Sequence, residues 1–163
     1  MIGILIIEKF SINSFLTGII VSVEGLGAFI GGVIISAFPP KRKQILFCLT
    51  LLLLFLFISL IAILNNVFLL TFLLFFAGIV TSSYSALQSS IIYLYSTPSL
   101  RSSTFSLLTI AIGSGCIGTL NISMMSNNFS TQELTFIMGL EGIGFFMLIT
   151  FFLIMKYKIF RMI

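Results

Sequence analysis

Four acidic residues and no Asp or His make up the acid–base chemistry of this chain of 163 residues. Two of them, Glu24 and Glu141, fall inside long apolar runs. A carboxyl group in such a run is costly in lipid, and marks a proton or cation pathway, or a structural carboxyl reaching towards the interface. Both readings are open for each residue, with Glu24 the stronger candidate for coupling. The contexts Glu24-Gly25-Leu26-Gly27 and Glu141-Gly142-Ile143-Gly144 are alike but do not extend, so they are read as coincidence. Ser82, Ser85 and Gln88 recur along one apolar run and Ser114 lies in another. They either line a substrate cavity or hydrogen-bond between helices, where each bond contributes about 1 kcal/mol.

The absent residue types narrow the chemistry. Without His or Asp, a His-based triad is impossible and most metal sites lose their ligands. Intramembrane proteolysis needs paired acids or His-rich sites, so the chain is not expected to be an enzyme, and no cofactor or metal is expected. Cys48 and Cys116 both sit in apolar runs. They read as small packing residues rather than a disulfide.

The elements that hold these residues are membrane spans. Apolar residues make up 59% of the chain and charged residues 7%, against about 25% charged in a soluble domain. The mean hydropathy is +1.27. A bilayer core takes about 20 apolar residues per helix. The charges delimit five such helices, at 15–38, 44–64, 67–95, 103–125 and 134–155, within a single transmembrane domain. The runs are long and continuous, unlike the short alternating strands of a barrel. Pro39-Pro40 ends the first span, because proline cannot continue a helix. Asn65-Asn66 forms the turn after the second.

Basic loops stay on the cytoplasmic side. Lys41, Arg42, Lys43, Arg101, Lys156, Lys158 and Arg161 all fall on one side, against Glu8, Lys9 and Glu133 on the other. The expected protein is therefore multi-pass in the cell (inner) membrane, with its amino end outside and its carboxyl end cytoplasmic. The net charge of +4 reflects this topology, so the lipid bilayer and not nucleic acid is the expected partner. Residues 1–7 are too short to cross. They read either as the stub of a sixth helix or as a short interfacial segment.

Small residues let helix backbones approach in lipid. In the first span, Gly18, Ser22, Gly25, Ala28, Gly32 and Ser36 form one small face. The third span carries Gly78, Ser82, Ala86 and Ser90, and the fourth Ala111, Gly115 and Gly118. The second span holds LLLLFLF at 51–57 and no glycine. Spans one, three and four are thus expected inside, span two against lipid and span five mostly so.

In order and character these features resemble the carboxyl-terminal part of a major facilitator superfamily transporter, helices eight to twelve, of an exporter-like kind. Residues 24–43, EGLGAFIGGVIISAFPPKRK, are similar to a glycine-rich helix followed by the family's loop motif G-x-x-x-D-R-x-G-R-R. Gly32 matches the first glycine, and Lys41, Arg42 and Lys43 supply the basic residues slightly displaced. Ser36 replaces the acid and Pro39 the second glycine. Thr97, Pro98 and Arg101, after a Ser-rich helix with Ala86-Leu87-Gln88, resemble the loop following helix ten. Gly113 to Gly118, GSGCIG, is similar to helix eleven. The resemblance implies an all-α membrane fold forming most of a six-helix bundle. It implies transport of a small solute, of unidentified kind, by alternating access between two halves. Helices eight, ten and eleven would face the cavity. It also implies an incomplete transporter: either the missing amino-terminal half is a separate polypeptide partner, or the chain is the product of a truncated or split gene. The alternative is a small five-span membrane scaffold or assembly subunit that associates through its glycine faces.

Overall fold

The computed structural model describes residues 2–160, with side-chain surroundings up to residue 152. The side chains of Lys156 and Lys158, and all of Met1 and Arg161, lie outside the described residues. The described chain is all helical: α1 Ile2–Phe10, α2 Ser14–Ala37, α3 Lys43–Ile63, α4 Val67–Tyr95, α5 Arg101–Gly113, α6 Gly115–Met125 and α7 Thr131–Phe160. Five helical segments are long and apolar enough to cross a membrane, α5 and α6 counting as one.

Local chemistry sets most boundaries. The Asn13 side chain accepts from the backbone N–H of Leu16 and opens α2. Asn66 accepts from Phe68 and Leu69 and opens α4. Three orphan donors of the two first turns are satisfied in this way. Ser130 and Glu133 form a reciprocal capping box: Glu133 Oε2 accepts from the Ser130 N–H at 2.9 Å, and Ser130 Oγ accepts from the Glu133 N–H at 3.3 Å. This pair starts the last helix at Thr131, three residues earlier than the apolar run suggests.

The fourth span is not one continuous helix. Ser114 interrupts it between two glycines, donating its hydroxyl to the Ala111 carbonyl at 2.6 Å. The next backbone bond, from Ile117 N–H to the Ser114 carbonyl, has the tighter i to i+3 spacing. Glycine–serine pairs are a common cause of such breaks.

Two tight seams organise the bundle. Parallel α2 and α4 pack most extensively. At Gly27 a side chain would overlap the Phe75 backbone, at Gly31 the Ile79 backbone, and at Gly78 the Glu24 carbonyl. Antiparallel α3 and α7 meet where Gly139 faces Ser59 and Gly142 faces the Phe55 ring. Helix α3 joins the two seams, packing on α4 as well as α7. The Phe47 ring stacks on Tyr84 with centroids 5.0 Å apart, and Lys43 Nζ donates to Ser90 Oγ at 2.7 Å.

Three expectations about placement therefore change. Helix α3, expected against lipid, sits between α4 and α7, with Thr50, Ser59 and Ala62 buried at positions where glycine is absent. The expected small face of α2 is not the packed one: Gly18, Gly25 and Gly32 have nothing within 4 Å of an added Cβ. The α5–α6 span, expected inside, contributes no buried residue.

The first segment is a separate helix. Its Leu5 and Ile6 are completely buried against Ile61, Leu70 and Leu74, in the main apolar cluster of the bundle. A left-handed residue, Ser11 at φ 52°, turns the chain from α1 into α2. Lys9 Nζ reaches across to the Ala62 carbonyl at 2.7 Å.

Candidate functional site

The polar candidates divide between a seam and an open surface. Glu24 is half-buried on α2, and its own carbonyl packs against Gly78 of α4. Ser82 lies farther along the same seam, its hydroxyl beside Gly31 and 3.4 Å from the Ile79 carbonyl. Ser85 is exposed and donates to the Thr81 carbonyl at 3.1 Å. Gln88, half-buried, follows Ser85 by three residues and so shares its face. The structure thus brings Glu24 and Ser82 onto one helix pair, with Ser85 and Gln88 farther along α4.

Ser114 is not part of that group. It is exposed at the α5–α6 break, and its hydroxyl is held by its own helix. Serine hydroxyls bonded to a carbonyl three or four residues back need no partner on another helix. Ser85 and Ser114 are both of this kind, so neither serves as an interhelical clasp.

The loop-motif residues are also spread out. Gly32 is on the half-covered side of α2 with open space at its Cβ. Lys41 and Arg42 are exposed, while Lys43 ties α3 to Ser90. With Gln44, Ile45, Leu94 and Tyr95, these three basic residues line a pocket of about 270 Å³ at one end of the bundle. Nearby in the chain, the Arg101 guanidinium lies 4.0 Å from the Tyr93 ring centroid. Such stacking holds the cation in place against the ring.

Glu141 is exposed on the wall of a second cavity, an apolar groove of about 920 Å³ between α3 and α7. Cys48 lines the same groove, and both thiols of the chain are exposed. The cysteines are therefore not the packing residues that their apolar contexts suggest. Among the described residues no group of three or more Cys, Asp or Glu side chains gathers to hold a metal.

Several contacts had a signal in the sequence that the small-face reading passed over. Gly27 and Gly31 form a Gly-x-x-x-Gly pair, the spacing that lets two helices touch backbone to backbone. Ser130 and Glu133 have capping-box spacing. Nothing local announces the groove or the Lys9 bridge, because both join segments far apart in the chain.

The fold and these sites define a multi-pass helical membrane protein with an unpacked fourth span. No family model, curated protein or solved structure matches the chain.

Proposed function

We propose that this chain is one helical unit of a secondary-active transporter similar to the major facilitator superfamily. It would sit in the cell (inner) membrane, amino end outside and carboxyl end cytoplasmic. With a further helical unit it would move a small solute by alternating access. One observation carries the reading. The α5–α6 span is long enough to cross a membrane, yet 0% of its apolar window is buried in the chain, and it is the least apolar of the five. A span rich in Ser, Thr and Gly is poorly suited to lipid on every side, but well suited to the wall of a water-filled path. The uncovered face of α2, with Gly18, Ser22 and Gly25 exposed, is a second surface of the same character.

In this reading Glu24 is the coupling group, with Ser82, Ser85 and Gln88 on the neighbouring helix beside the path. The hydroxyls of α4 and α5–α6 donate to carbonyls of their own helices, so they would meet solute groups as acceptors through their remaining lone pairs. The basic loop at Lys41–Lys43 would move with α2 and α3 as the halves rock.

The test is flux in proteoliposomes carrying a proton gradient, with a panel of labelled solutes. The chain alone is expected to give none. The chain co-expressed with the polypeptide encoded directly upstream is expected to give saturable flux, abolished by Glu24→Gln. Saturable flux from the chain alone would overturn the incompleteness. A self-associating chain with no flux in either setting supports the scaffold reading instead, for which the α2 stripe would be the contact.

A further inference from the structure

The basic pocket lies at the amino end of α3 against the end of α4, and the apolar groove begins one turn farther along α3, on its α7 side. Gln44 lines the pocket, and Cys48, one turn on, lines the groove. Successive turns of that face carry Leu51 and Phe55. The two cavities have opposite chemistry in the order that a phospholipid has it. We infer that together they hold one anionic phospholipid, with its phosphate at Lys41, Arg42 and Lys43 and an acyl chain between α3 and α7. This rests on the membrane-spanning fold alone and not on the transport reading.

Charge is the first argument. Three cations line a pocket of seven residues, and no carboxylate is among them. Of the four acidic residues, Glu8 is in α1 and Glu133 in the first turn of α7, both at the opposite end of the bundle. Glu24 and Glu141 are well inside their helices. The first turn of α3 also lacks a side-chain cap, and its residues Lys43, Gln44 and Ile45 line the pocket, so the positive end of the helix dipole adds to the pull on an anion. Basic pockets between membrane helices hold phospholipid head groups in this manner. Tyr95, on the rim, is of the type that anchors at the membrane–water boundary.

Shape is the second argument. Helices α3 and α7 are in contact at Ser59–Gly139 and Phe55–Gly142, and open towards the basic end. From Phe47 to Phe55 the groove rises about 12 Å at 1.5 Å per residue, close to the roughly 15 Å depth of one leaflet core. Its lining is almost wholly apolar, since the Thr150 hydroxyl is spent on the Phe146 carbonyl at 2.7 Å. Glu141 stands at the deep end, where the chain terminates and the phosphate does not reach.

The purified full chain in detergent, mixed with phosphatidylglycerol or with phosphatidylcholine of the same acyl chains, tests this by native mass spectrometry and thermal unfolding. Retention of phosphatidylglycerol is expected to exceed that of phosphatidylcholine by about tenfold. Lys41→Gln with Arg42→Gln, both exposed positions, should remove most of that preference, while Lys41→Arg with Arg42→Lys keeps it. Gly144→Leu should weaken phosphatidylglycerol retention severalfold, because Gly144 lines the groove with open space at its Cβ. Gly144→Ala, a smaller change at the same open site, should give a smaller loss and guards against misfolding. Equal retention of the two lipids, or a preference that survives the double Gln variant, overturns the head-group site. Retention unchanged by Gly144→Leu in a folded protein overturns the acyl groove. Inorganic phosphate displacing phosphatidylglycerol at equal concentration would mark a free-anion site and overturn the lipid.

Discussion

At the scale of single residues, the most informative contact is one that joins the first helix to the end of another. Lys9 Nζ donates to the Ala62 carbonyl, one of the last acceptors of α3. A cation there meets the negative end of the helix dipole. Burial nonetheless pushes the Lys9 ammonium below its ordinary value. In acid and neutral solution the charge is present in both folded and unfolded chains, so its desolvation penalty is fully felt. As pH rises past the lowered folded value, the folded chain sheds the proton first. The unfolded chain then binds more protons, and stability rises until Lys9 also titrates in the unfolded state. The wild-type unfolding temperature, relative to Lys9→Met, should therefore climb between the lowered value and the ordinary lysine range. A flat difference across that window would disprove it. At neutral pH the lost hydrogen bond in Lys9→Met should cost about 1 kcal/mol.

At the scale of elements, the α2–α4 seam decides how the bundle holds together. Gly27, Gly31 and Gly78 permit backbone contact, while Gly18, Gly25 and Gly32 on the same α2 helix touch nothing. A methyl at Gly78 meets the Glu24 carbonyl, an atom that cannot move without bending α2. Gly78→Leu should cost about 2 kcal/mol or more, as overpacking does in other tight cores. Gly25→Leu should leave the isolated chain as stable as wild type. Unfolding in increasing detergent denaturant, followed by helical content, separates the two; equal losses would mean the seam is misplaced. This contrast also measures what was legible in the sequence. The five helices, their ends at Pro39 and Asn66, and the long α4 followed from hydropathy and turn chemistry. Which glycines touch did not, because two small faces share α2 and residue spacing alone cannot rank them. The depth of Leu5 and Ile6 was equally hidden, since seven apolar residues read alike whether they fill a core or lie on an interface. For the candidate site, Glu24 and Ser82 do share a seam, but Ser114 was grouped with them by type rather than by place.

At the scale of the whole molecule, the unpacked α5–α6 span is what separates transport from scaffolding, and the two native thiols can report on it. Cys116 is the second residue of α6, near the middle of the span and exposed. Cys48 is exposed too, but in the apolar groove between α3 and α7. A charged, water-soluble maleimide labels a thiol only where water reaches it. If α5–α6 lines a water-filled path in the assembled transporter, Cys116 should be labelled by a charged maleimide in membranes of the native host. Cys48, sealed by an acyl chain, should stay unlabelled there and react only after the protein is stripped of lipid. In liposomes holding the chain alone, α5–α6 has lipid on its open sides, and Cys116 labelling should fall at least severalfold. Cys48 thus reports on the removal of lipid and Cys116 on the removal of the partner. Cys116 unlabelled in both membranes would place α5–α6 against lipid or protein throughout, and the water-lined path would have to be abandoned.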